Sequence, residues 1–377
     1  MIRPVVTGFG LTAAAAGGGG VWERLLAAEP AAGAFAPGDE GEALPGIGFG
    51  DEFRPHPGIP RNVVHFLDRG SLLALDAALR ALDAAGLGAG AGDARRFGVA
   101  EGLPMRAPGQ PGIFAPYGQL IARVLGVRGP VAAVAGGEAS GLAAVVQAAR
   151  LVARGEADIV IAGAAQALQR PLLEHLRGMS AARALPFDRE HAGMVPAEGA
   201  AFLVIESEAH ARGRGAAIAA RIAGAAEVFD PAAEPTALPG ANEAGRLMQA
   251  VLADAGYLQN QVDLFVSCAD GRPEADVADG FGALRTFGRH AYFADVTAPA
   301  GTLGQLLAAG GPAAAALALE AMARGEVWPV AGLTTPIEGL ELAFVKAAKQ
   351  AKVDCALVTA LGTGGAAAGI LLVREGN

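Results

Sequence analysis

The sequence predicts an α/β protein built from two similar halves, and three observations carry that expectation. Short apolar runs alternate with segments of helical period along the whole chain. Each half holds one small-residue helix that is apolar on every side, 138–154 in the first and 303–324 in the second. Such helices belong in the middle of a layered core, with mixed sheets buried beside them. The second half also repeats the first in outline, which reads as a duplicated unit with halves 1–215 and 216–377 forming one integrated body.

Taken in order, 2–7 reads as a strand and 22–28 as a short helix. Between them GFGLTA, 8–13, matches a dinucleotide fingerprint, but a glycine-rich stretch follows in place of a helix and no acidic ribose ligand ends a later strand. A structural turn is therefore expected there. Residues 30–60 read as an irregular surface loop, 68–85 as an amphipathic helix ending at Gly86, 97–100 as a strand and 117–125 as a helix. After the strand at 158–162 comes the stretch 166–182 with His175 and Met179, then a buried strand is expected at 201–205 and a polar hinge at 209–215. The second half then reads as helix 242–255, strand 262–267, helix 275–287, strand 292–297, helix 303–324 and strands 356–361 and 369–373.

With 377 residues, 52% of them hydrophobic, 55 glycines and only 18% charged, the chain has ample material for a large core. Its net charge of −9 argues against a nucleic-acid or anionic-membrane surface, and overall charge would not draw in an acidic carrier protein. The scarcity of charge fits either a surface covered by a partner or an alanine-rich coding bias. Two cysteines, Cys268 and Cys355, and six scattered histidines have no metal-ligand spacing, so neither metal nor other cofactor is expected. No apolar run of membrane-spanning length is free of charge, and MIRPVVTGFG enters a strand without a leader, so a soluble cytoplasmic protein is expected.

The stretch 129–155, GPVAAVAGGEASGLAAVVQAARLVARG, is the most informative. An apolar strand follows a Gly-Pro turn, Gly136-Gly137 permits a sharp elbow, and apolar residues then recur at helical spacing until Gly155. A strand, elbow and helix in that order is the geometry that aims a nucleophile, yet the elbow residue is Glu138, a carboxylate. Glu138 reads either as a general acid or base, for which one carboxylate without a partner is poor equipment, or as a structural acceptor of backbone N–H groups at the helix start. Cys268 has no histidine near it in sequence and reads as a small core residue.

VVTGFG, DAALRALDAAGL, GPVAAV…ASG…AARLVARGEADIVIAGAA, LPFDREHAGMVPAEGAAFLVIE, VDLF and LGTGG occur in the order found in β-ketoacyl synthases, and the chain resembles that family over nearly its whole length. The resemblance implies a thiolase-like fold of five layers, αβαβα. It also implies that the condensing residues are missing. Family members carry an acyl-accepting cysteine in a TACxSG-like elbow, where Glu138 stands; a histidine in a VDYVxAHGTxTP-like stretch, where VDLFVSCADGRP puts Cys268; and a KSxxGHxxGAAG-like stretch, where PAGTLGQLLAAG puts Pro299 for the lysine and Gly304 for the second histidine. By the same resemblance Asp188 and Glu198 brace the elbow, Met105, Phe114 and Tyr117 are candidates to face an acyl tunnel or subunit interface, and His175 and His191 lie near the pocket. LGTGG replaces a phenylalanine-gated loop and reads as a structural turn.

Scaffold motifs kept and chemical positions altered resemble the ketosynthase-beta subunits, or chain length factors, of type II polyketide synthases, which usually carry Gln at the elbow. This implies an otherwise inactive subunit that pairs with an active ketosynthase-alpha subunit as a heterodimer. It would shape the acyl tunnel during polyketide or polyene elongation and meet acyl carrier protein through that partner. The alternative is an independent acyl-thioester enzyme, a decarboxylase, acyltransferase or hydrolase, using Glu138 or Cys268. A third is a ketosynthase-like pseudoenzyme serving other acyl carriers.

Overall fold

The computed structural model describes residues 2–14, 20–37, 42–50, 53–88, 92–109 and 116–375. Its main sheet has ten strands, β1 (Pro4–Ala13), β2 (Phe97–Gly102), β3 (Val131–Val134), β4 (Ile159–Gln166), β5 (Gly199–Ser207), β6 (Ala220–Phe229), β7 (Leu264–Val266), β8 (Asp295–Thr297), β9 (Cys355–Leu361) and β10 (Ala366–Val373). The longer helices are α1 (Arg69–Ala84), α2 (Tyr117–Leu125), α3 (Ser140–Ala153), α4 (Ala241–Ala255), α5 (Pro273–Phe287) and α6 (Gly310–Arg324).

Strand order across the sheet is β8-β7-β9-β10-β6-β1-β5-β4-β2-β3. Strand n of the first half therefore occupies the place of strand n+5 in the second. Each half pairs its first, last and penultimate strands antiparallel and adds two parallel strands at the edge. The halves meet at β1 and β6 through only two residue pairs, Val5 with Arg221 and Val6 with Ala220.

Three apolar clusters mark the layering. One lies under α1 and α2, one under α4 and α5, and the largest surrounds α3 and α6, which touch each other and strands of both halves. The two all-apolar segments foreseen in the sequence thus form the central layer, where burial on every side suits their composition. No helix among the described residues is long and apolar enough to cross a membrane.

Local chemistry explains the elements and the departures from expectation. Asp68 caps α1 by accepting from Ser71 N at 2.7 Å, and left-handed glycines 126, 256 and 325 end α2, α4 and α6. GFGLTA is not a turn; it continues β1 to Ala13. Its glycines serve packing, since a Cβ on Gly10 would lie 2.1 Å from Ala77 O of α1. The expected hinge at 209–215 is instead a short helix, Glu208–Gly213, begun by Ser207 and held by an Arg212–Glu208 pair.

The helix expected at 303–324 is broken. A turn at Ala300–Leu303 stops at Gly304, whose φ of 78° is left-handed, and α6 starts only at Gly310. The break admits a second chain segment, with Gln305 N donating to Val195 O at 2.7 Å and Ala197 N to Gln305 O at 2.9 Å.

At the end of β2, Glu101 accepts the N–H groups of Tyr117 and Gly118 at the start of α2, and burial pushes its carboxyl up to about 7 despite those donors. A raised acid binds more protons folded than unfolded, so its contribution to stability falls as pH climbs from about 4.5 through 7. Denaturation of wild type and Glu101→Gln at about pH 5 and pH 8 is expected to favour the variant more at the higher pH, by about 1–3 kcal/mol relative to the lower. An equal difference at both pH values would contradict this assignment.

Candidate functional site

β3 delivers the chain into the elbow. Gly137 has φ 56°, and a Cβ there would meet Thr363 Oγ1 at 2.8 Å, so geometry and space both require glycine. A single 3₁₀ turn, Gly137–Ala139, presents Glu138 and runs on into α3. Glu138 is buried at 3% exposure, and its carboxylate does not accept from its own helix. One oxygen accepts Nη1 of Arg272 at 2.9 Å and the other accepts Thr363 N, in the LGTGG turn, at 2.8 Å.

Arg272 stands at the N-terminal boundary of α5. Its Nη2 donates to Asp270 Oδ2 at 2.8 Å and its Nε to both oxygens of the same carboxylate. Gln305 Nε2 also donates to Asp270 Oδ2, at 2.6 Å, while Gln305 Oε1 accepts Leu307 N at 3.1 Å. The result is one buried chain from the 305–307 segment through 270–272 and the elbow to the 361–365 turn. Burial alone would lower the Arg272 pKa, but Asp270 and then Glu138 raise it above its usual value, so the guanidinium is permanently charged.

The four positions singled out in the sequence meet here: Glu138, Cys268, Pro299 and Gly304 line one cavity of about 30 Å³, together with Gln305. That is room for about a water molecule, not an acyl chain. Burial, then Asp279, pushes the Cys268 thiol well up, so it is neutral. Asp279 accepts Ser267 Oγ, Thr359 Oγ1 and Cys268 N, and is not free to act as a base. Pro299 supplies no amine and Gly304 no side chain. No group of three or more His, Cys, Asp or Glu suited to a metal occurs among the described residues.

Other expected site residues lie elsewhere. Glu198 takes N–H groups from Leu168 and Phe49 and the Arg69 guanidinium, and Asp188 takes those of Thr334, Thr335 and Glu190. They brace neighbouring loops, not the elbow. Met105 is tied through its backbone to Gln166 and packs near Leu168, while Tyr117 is buried in the outer cluster with α1. Neither lines the cavity. Phe114 lies outside the described residues. His175 is exposed on a short helix.

His191 also stays out of the cavity; it pairs with Asp276 at 2.9 Å, and Asp276, raised to about 6 by burial, accepts the N–H groups of Phe187, Asp270 and Gly271. Sequence reasoning missed Asp270, Arg272 and the part played by Gln305. The signal was present, for in VDLFVSCADGRP the aspartate and arginine stand where the HGTxTP pattern has two small hydroxyl residues.

The chemistry open to this arrangement is narrow. A carboxylate fixed by a guanidinium on one oxygen and a backbone N–H on the other is a poor base and a poor nucleophile. Removing Arg272 would strand two buried carboxylates, whereas Glu138→Gln leaves Arg272 paired with Asp270. Chemical denaturation is expected to show Arg272→Met destabilised by about 3–5 kcal/mol and Glu138→Gln by clearly less. Equal losses would mean that the guanidinium does not hold the site.

Comparison with known proteins places these observations. The family model described as "Beta-ketoacyl synthase, N-terminal domain" matches residues 5–211 and that described as "Beta-ketoacyl synthase, C-terminal domain" matches 219–334. The chain is 36% identical over 222 residues to "Actinorhodin polyketide putative beta-ketoacyl synthase 2" of Streptomyces coelicolor, a match over 56% of this chain and 53% of that protein. It is 35% identical over 256 residues to "Putative polyketide beta-ketoacyl synthase 2" of the same organism, over 66% of this chain and 59% of that one. The chain thus spans little more than half the length of these curated relatives. Among solved structures, "The ishigamide ketosynthase/chain length factor" superposes with a TM-score of 0.86 over 100% of both chains at 24% identity. At that identity the match speaks for the fold, which is the thiolase-like α/β arrangement.

Proposed function

The chain belongs to the β-ketoacyl synthase family, and we propose that within it this chain is a non-condensing subunit of the chain-length-factor kind. It pairs with an active ketosynthase as a heterodimer and shapes the acyl tunnel while a polyketide or polyene chain is elongated. Its halves, 1–215 and 216–377, act as one unit, and acyl carrier protein reaches it through the partner.

One observation carries the reading. The elbow that aims a nucleophile in this family holds a carboxylate already spent on Arg272 and Thr363, in a cavity of about 30 Å³. Claisen condensation needs a thiolate to carry the acyl chain, whereas a carboxylate would form a reactive anhydride. It also needs donors aimed at the enolate oxygen and the malonyl carboxylate. In this proposal Glu138, Cys268, Pro299 and Gly304 are the former catalytic positions, and none supplies either function. Relatives named as polyketide β-ketoacyl synthase 2 and a neighbour titled as a ketosynthase/chain length factor favour the same role.

Co-expression with an active ketosynthase-alpha subunit, followed by gel filtration, is expected to yield a mixed dimer. The isolated chain should leave malonyl and acyl carrier thioesters unchanged. A homodimer that ignores the ketosynthase, or thioester turnover abolished by Glu138→Ala, would replace this reading with that of an independent acyl-thioester enzyme.

A further inference from the structure

The buried chain of polar contacts joins four segments that sequence separates widely: the elbow at 136–140, the 268–273 loop, the 304–307 break and the 361–365 turn. In a working member of the family three of these carry the chemistry. Here each is fixed to the next through a side chain at most 6% exposed. The last link ties the elbow to the 361–365 turn, where Glu138 takes the Thr363 amide while Cys268 takes a backbone hydrogen bond from Leu361. On the same turn Gly362 packs against the elbow, where a Cβ would lie 2.0 Å from Gly136 O.

We infer that Glu138 is a latch: braced by Arg272, it holds the 361–365 turn down on the elbow and keeps the cavity beside Cys268 too small for an acyl chain. The inference rests on the proposed role as a non-condensing subunit and says how this subunit avoids competing with its partner for acyl thioesters. A cavity held small is distinct from loss of reactive groups. A pocket that had only lost its nucleophile would still admit an acyl chain or a carrier's thioester arm and withhold it from the partner, whereas a latched one takes up neither.

The charges favour this arrangement. Arg272 faces two carboxylates, so withdrawing Glu138 leaves the balanced pair Arg272–Asp270 and strands no buried charge. The latch can therefore be removed without collapsing the site. Cys268 lines the cavity and reports on its opening, while Cys355, 4% exposed in β9, reports on global unfolding.

The test is the rate at which N-ethylmaleimide alkylates each cysteine of the intact folded chain, resolved by peptide mass spectrometry. Cys268 is expected to react slowly in wild type and roughly tenfold or more faster in Glu138→Ala, with Cys355 unchanged. Glu138→Gln keeps an oxygen for Thr363 N and should stay close to wild type. Hydrogen exchange on wild type supplies a second readout that does not depend on a variant's folding: the Thr363 amide is expected to be protected. A Cys268 rate that is fast in wild type or unmoved by Glu138→Ala, or a freely exchanging Thr363 amide, would overturn the latch. Each of these results leaves pairing with a ketosynthase intact, so the two proposals fail separately.

Discussion

The ion pair between Arg272 and the carboxylates of Glu138 and Asp270 is the constraint on which the rest of the site depends. A guanidinium and two carboxylates at or below 3% exposure carry a desolvation cost of several kcal/mol each, and only close, well-directed hydrogen bonds offset it. The fold meets that requirement by bringing three distant segments to one point. The elbow before α3 carries Glu138 from the first half, the loop leading into α5 carries Asp270 and Arg272 from the second, and the interruption before α6 brings Gln305. The geometry that could aim a nucleophile is preserved, and the charge it holds is paired within the protein with a guanidinium shared by Asp270.

Duplication explains why those segments converge. Each half lays a strand into an elbow and then into a central helix, and the two central helices lie against each other and against strands of both halves of the ten-stranded sheet. Residues at the elbow and at the pre-α6 break therefore face one another across the pseudo-symmetric middle. The seam itself is slight, two residue pairs long, so the halves are held together mainly by the apolar cluster around α3 and α6.

Much of this was legible in the sequence. Periodicity located most helices and strands to within a few residues, and the meeting of Glu138, Cys268, Pro299 and Gly304 at one cavity followed from motif order. Three features were not legible, each for a physical reason. GFGLTA looked like a turn because glycines break strands, but here they let α1 approach. The 303–324 helix looked continuous because composition does not reveal that Gly304 is left-handed. Arg272 escaped notice because a lone arginine in a loop is usually solvated, and only tertiary contact shows that it lies buried between two acids. The same blindness to tertiary contact assigned Glu198 and Asp188 to the elbow, when their carboxylates satisfy neighbouring loops.

The break at Gly304 also limits what that position can hold. A Cβ on that residue would lie 2.7 Å from Val195 O, and its φ of 78° is one that a side-chain-bearing residue adopts only under strain. Three residues on, Leu307 already carries such strain at φ 50°. A histidine placed at 304 would therefore demand a different path for the 195–197 backbone as well as a new side chain. The break acts as a splice: the 195–197 segment is hydrogen-bonded into it through the Gln305 backbone, so no single substitution at 304 can add a side chain there without moving both segments.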